Sequence, residues 1–146
     1  MRRHALAALA TAAFGSTAIA AEFRTVGDEG AVLYDAPSRQ ATALFVVSKG
    51  YPLEVVSQTE AWVKVRDHAG ALTWVERKRL GAKRMVVVTA PSAEAHQRPE
   101  DAAPVAFIAA QDVALEYLEP APGGWVHVRH ADGADGYLRA AAVWGD

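Results

Sequence analysis

The chain has 146 residues, a formal net charge of −2, 51% apolar and 22% charged side chains, which is globular material and excludes a disordered tail. With 15 basic against 17 acidic residues there is no basic excess of the kind nucleic-acid binders carry. The absence of cysteine excludes disulfides, thiolate catalysis, thiolate metal sites and cysteine-linked lipid anchors. Seven prolines and eleven glycines suit a turn-rich β protein better than a helical bundle.

The first segment reads as an address. Met1-Arg2-Arg3-His4 is a short positive start, Leu6 to Phe14 is an apolar run, and Ala18-Ile19-Ala20 has the small-x-small pattern of a cleavage site. We assign residues 1–20 to a secretory signal peptide, with the mature chain starting at Ala21. The run is too short for a stable membrane span, and no later segment approaches the roughly 20 apolar residues that one requires. The expectation is a periplasmic or secreted protein without a membrane anchor.

The remainder contains a repeat. Ala61 to Gly81 (AWVKVRDHAGALTWVERKRLG) reads like Gly124 to Trp144 (GWVHVRHADGADGYLRAAAVW). Trp62, Val63, Val65, Arg66 and Gly70 match Trp125, Val126, Val128, Arg129 and Gly133, and Trp74-Val75 matches Tyr137-Leu138. Upstream, Leu53 to Val56 answers Leu115 to Leu118, and Ala36-Pro37-Ser38 answers Ala90-Pro91-Ser92. We therefore divide the chain into residues 24–81 and 82–146, two similar units in tandem.

In the first unit the β-branched and aromatic runs predict strands over Ala31–Tyr34, Ala43–Ser48, Leu53–Gln58, Ala61–Asp67 and Leu72–Glu76. In the second they predict Met85–Thr89, Val105–Ala109, Val113–Glu119, Trp125–His130 and Gly136–Arg139. Asp67 to Gly70 and Ala131 to Gly133 read as hairpin turns, and Arg77–Leu80 and Ala140–Val143 as single 3₁₀ turns. Pro91 to Pro104 is polar and proline-marked. It reads as a surface loop that makes the second unit about eight residues longer. Only Ala82-Lys83-Arg84 joins the units, and units this small bury little core alone, so they are expected to pack in a fixed orientation.

A tryptophan before a Val-x-Val-Arg strand, a glycine hairpin and a closing aromatic–aliphatic pair, all present twice, resemble the bacterial Src-homology-3-like (SH3b) domain family. The resemblance covers about Gly30 to Gly81 and Met85 to Trp144. It implies an all-β fold of two tandem SH3-like, strongly bent five-stranded β-barrels packed closely together. It also implies a place outside the cytoplasm and, for several family members, binding of peptidoglycan or its cross-bridge peptides. Eukaryotic relatives grip proline-rich peptides with a paired tryptophan and a later proline. Here those positions hold Val63 or Val126 and Glu76 or Arg139, so proline-rich ligands are not expected. The Ala31 to Asp35 opening also resembles theirs, and Val87-Val88-Thr89 stands in its place in the second unit.

Strand alternation sorts the repeated motif. Val63, Val65, Val126 and Val128 face the core, which leaves Trp62, Lys64 and Arg66, and again Trp125, His127 and Arg129, on the other face. Trp74, Tyr137 and Tyr34 flank it. An aromatic beside cationic groups can stack on a sugar or peptide plane while binding carboxylates, and these nine residues form the candidate ligand face. The structural alternative is that each tryptophan covers the mouth of its barrel and the charges are merely solvated. Arg77, Lys78, Arg79, Lys83 and Arg84 form a basic cluster at the junction, open to acidic ligands or to acidic residues of the other unit. No Ser–His–carboxylate pattern, phosphate loop or spaced metal ligands stand out, so no catalytic residue, metal or cofactor is assigned. The expectation is a monomeric, non-catalytic binding protein whose partner is a cell-wall peptide or glycan. The alternative is an adaptor that binds an envelope protein.

Overall fold

The computed structural model describes residues 19–146, so the signal-peptide reading of residues 1–20 lies almost wholly outside the described residues. Among the described residues no helix is long and apolar enough to cross a membrane.

The first unit comprises β1 (Phe23–Val26), β2 (Ala31–Tyr34), β3 (Ala43–Val47), β4 (Pro52–Gln58), β5 (Trp62–Arg66), β6 (Leu72–Glu76) and β7 (Leu80–Gly81). They form one antiparallel sheet in the order β3-β2-β6-β5-β4-β1-β7. The second comprises β8 (Met85–Val88), β9 (Ser92–His96), β10 (Val105–Ala110), β11 (Ala114–Ala121), β12 (Trp125–Arg129), β13 (Asp135–Arg139) and β14 (Val143–Trp144). Its order, β10-β9-β13-β12-β11-β8-β14, repeats that of the first. The architecture is all-β and two tandem SH3-like units, as expected. The sheets are open, with β3 and β7, or β10 and β14, left as edges, so five-stranded barrels become seven-stranded bent sheets.

Period-2 patterning builds each core. Val63 and Val65 on β5, Val75 on β6, Leu33 on β2 and Leu53 on β4 are buried together. Val126, Val128, Leu138, Ala95 and Leu115 answer them in the second unit, giving each unit its own core. The hairpin turns carry left-handed glycines, Gly70 at φ 90° and Gly133 at φ 95°. The 3₁₀ turns lie at Arg77–Arg79 and Ala140–Ala142.

The repeat is closer than sequence matching suggests. Ala31 pairs with Val47 and Ala93 with Ala109, each 62 residues on. Gly50 (φ 87°) and Asp112 (φ 68°) occupy the same left-handed turn, their N–H groups donating to the carbonyls of Val26 and Val88 at 2.8 Å. The segment expected to be a long loop, Pro91 to Pro104, therefore contains β9, the counterpart of β2. The following loops, residues 35–42 and 97–104, are equal in length, so the second unit is not eight residues longer. The Ala-Pro-Ser match was spurious, because Ala36-Pro37-Ser38 follows β2 whereas Ala90-Pro91 precedes β9. Met85–Val88 answers β1, not the Ala31 to Tyr34 strand. Ser-Ala-Glu-Ala-His escapes strand patterning because its buried positions are two alanines, with little β propensity, and a histidine.

The two units pack on each other. Phe23 meets Trp144 edge-on at 5.0 Å, and the Arg84 guanidinium lies over Phe23 at 6.0 Å and Tyr117 at 4.9 Å. Arg84 also donates to the Gly145 carbonyl at 2.9 Å, and Thr25 Oγ1 donates to the Lys83 carbonyl at 2.5 Å. Tyr51 and His68 are hydrogen-bonded, and His68 lies 6.4 Å from Trp144.

Candidate functional site

In each unit one strand position links the motif tryptophan to a charged residue. Trp62 is the cross-strand partner of Glu76, and Trp125 is the partner of Arg139. Beside each pair the sheet and the loop after its second strand enclose an open cleft. The first, about 380 Å³, is lined by Gly30, Ala31, Tyr34, Arg39, Glu76 and Arg79 among others. The second, about 390 Å³, is lined by Ser92, Ala93, His96, Asp101, Trp125 and Arg139 among others.

An ion pair closes each cleft. In the first unit the Arg39 Nε donates to Glu76 Oε1 at 2.9 Å, and Lys78 lies 3.4 Å from Glu76 Oε2. The Arg39 hydrogen bond, assisted by Lys78, holds the Glu76 carboxyl below its usual range. In the second unit the pair is reversed: Arg139 Nη2 donates to Asp101 Oδ2 at 2.6 Å. Same place, opposite polarity.

The aromatic residues gather partly as expected. Tyr34 meets Trp62 edge-on at 5.6 Å and pairs with Trp74 across the strands, while Lys64 Nζ lies 5.9 Å above the Trp74 ring. These four form one surface of the first unit. In the second, His127 stacks on Tyr137 at 4.4 Å with an interplanar angle of 10°. His127 Nε2 is 2.7 Å from Asp135 Oδ2, and that hydrogen bond lowers the Asp135 carboxyl from its ordinary value. Tyr137 pairs with His96 across the strands, which makes His96 the counterpart of Tyr34.

Two elements of the expected face sit elsewhere. Trp125 is only 4% exposed, covered by the Arg139 guanidinium at 4.2 Å and by His96 edge-on at 5.5 Å. Its ring is the floor of a cleft where an open platform was expected. Arg66 is bonded to Glu54 at 3.1 Å, and Arg129 lies 3.7 Å from Glu116, in each case its cross-strand neighbour. Both arginines thus close strand pairs at the far end of the motif strand from the tryptophan.

Sequence reasoning missed Arg39, Glu76, His96, Asp101 and Arg139 as site residues. Glu76 and Arg139 carried a signal, since both occupy the position where relatives have proline. His96 Nδ1 donates to the Ala103 carbonyl at 2.9 Å, which ties the buried ring to the loop after β9. The basic cluster is dispersed over internal partners. Arg77 bonds the Thr59 carbonyl, Lys78 reaches Glu76, Arg79 pairs with Glu29, Lys83 lies 3.6 Å from Glu116, and Arg84 lies in the junction.

A family model for the bacterial SH3 domain matches residues 27–81 and again residues 89–145. Comparison with curated proteins gives no match. Among solved structures, NlpC2 from Trichomonas vaginalis is similar at a TM-score of 0.41 and 11% identity, over 87% of this chain and 49% of that one. NlpC1 from the same organism is similar at 0.40 and 11% identity, over 90% and 48%. The chain spans about half the length of each of these two neighbours.

Proposed function

The chain belongs to the bacterial SH3 domain family, one copy in each half, and from that premise we propose a non-catalytic binding module of the cell envelope that recognises peptidoglycan or its peptides. In this reading it is exported by cleavage near Ala20, acts in the periplasm or outside the cell, and works as a monomer without cofactor. One observation carries the reading: an aromatic-flanked cleft with a charged pair at its mouth occurs at the same strand positions in both units. Such a cleft offers ring surface for a peptide or sugar plane and exposed charges for peptide ends. Two clefts on one chain raise the apparent affinity for a repeating polymer.

The test is co-sedimentation of the purified protein with isolated sacculi, beside a Tyr34→Ala, Arg139→Gln double variant checked for folding. Binding that the folded variant loses supports the reading, and a wild type that stays in the supernatant refutes it. The second reading, an envelope adaptor that captures a protein, is favoured by the edge strand β3. There Leu44, Phe45 and Val46 are 45%, 48% and 82% exposed, and an unpaired apolar edge can accept a strand from a partner. It predicts a crosslinked protein partner and no affinity for purified wall.

A further inference from the structure

The two clefts share a position and a shape but reverse the charges across it. Where Trp62 faces Glu76, Trp125 faces Arg139; where Arg39 reaches in from the loop of the first unit, Asp101 reaches in from that of the second. The consequence for ligands follows from which partner is fixed. Arg139 is anchored: its guanidinium lies 4.2 Å over the buried Trp125 ring, and Nη1 donates to the Gly123 carbonyl at 3.3 Å. Stacking on an aromatic ring holds the planar donor fork in place. Asp101 is the loose partner, 76% exposed on the loop 97–104. A surface ion pair of this kind contributes little, so another carboxylate can replace it.

We infer that the second unit is a carboxylate-reading site, in which a carboxylate on the ligand displaces Asp101 and takes the Arg139 fork above Trp125, while Glu76 bars the same group from the first unit. Asp101 serves as the internal stand-in for that ligand group. Its Oδ2 at 2.6 Å from Nη2 shows the site accepting a carboxylate in charge-assisted geometry. Ser92, Glu94 and His96 line the same cleft, where the first unit has Gly30, Val32 and Tyr34; the Glu94 carboxylate is 59% exposed and lies on the His96 side, 3.9 Å from Nε2. The Ser92 hydroxyl can donate to the second carboxylate oxygen. The first cleft is lined by two arginines, but Arg39 is bonded to Glu76 and Arg79 to Glu29; a carboxylate there would meet Glu76, held ionised by Arg39 and Lys78, and like charges in one cleft repel.

This inference deepens the wall-peptide reading and rests on it for the nature of the ligand, not for the site. The probe is N-acetyl-alanyl-alanine, with its C-terminal amide as control, titrated into the ¹⁵N-labelled protein and followed through the backbone and indole N–H signals. We expect the acid to shift Trp125, His96 and Arg139 while Tyr34 and Trp62 stay still, and the amide to bind at least about tenfold more weakly. Asp101→Asn, on an exposed loop, removes the internal competitor and tightens binding of the acid. Arg139→Gln abolishes it. Equal response to acid and amide, equal response of both units, or no gain in Asp101→Asn overturns the inference. Sedimentation with sacculi separates the two claims. Wall binding without carboxylate selectivity sinks this inference alone, and carboxylate selectivity without wall binding sinks the wall reading alone.

Discussion

Replacing Trp125 by alanine tests the placement of the two motif tryptophans. Trp125 is 4% exposed, so its burial takes on the order of 200 Å² out of water, about 5 kcal/mol at roughly 25 cal/mol per Å². That matches the range of about 3–5 kcal/mol seen when core tryptophan or phenylalanine is cut to alanine. A unit of this size holds only about 3–9 kcal/mol in total, at roughly 0.05–0.15 kcal/mol per residue. Trp125→Ala therefore removes half or more of the stability of the second unit. Trp62 packs edge-on against Tyr34 and keeps part of its surface in water, so Trp62→Ala costs less. Urea unfolding followed by near-ultraviolet circular dichroism and tryptophan fluorescence reads both variants. The expected result is an early separate transition in Trp125→Ala and a modest shift in Trp62→Ala. Equal shifts in the two variants, or a larger one in Trp62→Ala, would refute the burial asymmetry and with it the cleft-floor role of Trp125.

Three further outcomes follow from named contacts. Thr73 is 1% exposed and its hydroxyl has no hydrogen-bond partner; Thr73→Val should raise stability by about 1 kcal/mol in the same urea titration, because it removes an unsatisfied buried polar group. At Gly145, φ is 113° and an added Cβ would lie 2.9 Å from the Met85 carbonyl oxygen and 3.2 Å from Pro52. Gly145→Ala should therefore loosen the junction, read as a larger radius in small-angle scattering with both sheets intact by far-ultraviolet dichroism. Burial raises the Tyr51 hydroxyl above its usual value of 10.0. A raised value means that its stabilising share is complete below about pH 10 and fades as pH rises through the folded value. Since the Tyr51 hydroxyl is hydrogen-bonded to His68, whose ring lies 6.4 Å from Trp144, ionising it should change the Trp144 fluorescence over that alkaline range in the wild type and not in Tyr51→Phe.

The fold was legible because its strongest strands carry period-2 patterns of valine and tryptophan, Trp62 to Arg66 and Trp125 to Arg129, each followed by a left-handed glycine. Strands that lack such a pattern were invisible. β9 buries alanines and a histidine, and β7 and β14 are two residues long. The site was harder to read. Alternation put Trp62 and Trp125 on one kind of face, yet burial of Trp125 depends on Arg139, fourteen residues later, and on His96, from a strand hidden in an apparent loop. Charge reversal at the cleft mouths could be seen only once β9 had been aligned with β2, which pairs residues 35–42 with 97–104. Arg66 and Arg129 show the opposite failure: alternation gave them a face, but the acidic residue directly across the strand took their charge.

Recognition of wall peptides by the two clefts is tested most directly by a residue-by-residue map of the labelled protein during titration with soluble muropeptides released from purified peptidoglycan. Saturable shifts are expected at the cleft residues Tyr34, Glu76, His96 and Arg139 and at the indole signals of Trp62 and Trp125. Shifts confined to the apolar edges β3 and β10, or no shifts at saturating muropeptide, would contradict that recognition and leave protein capture as the function of these paired units.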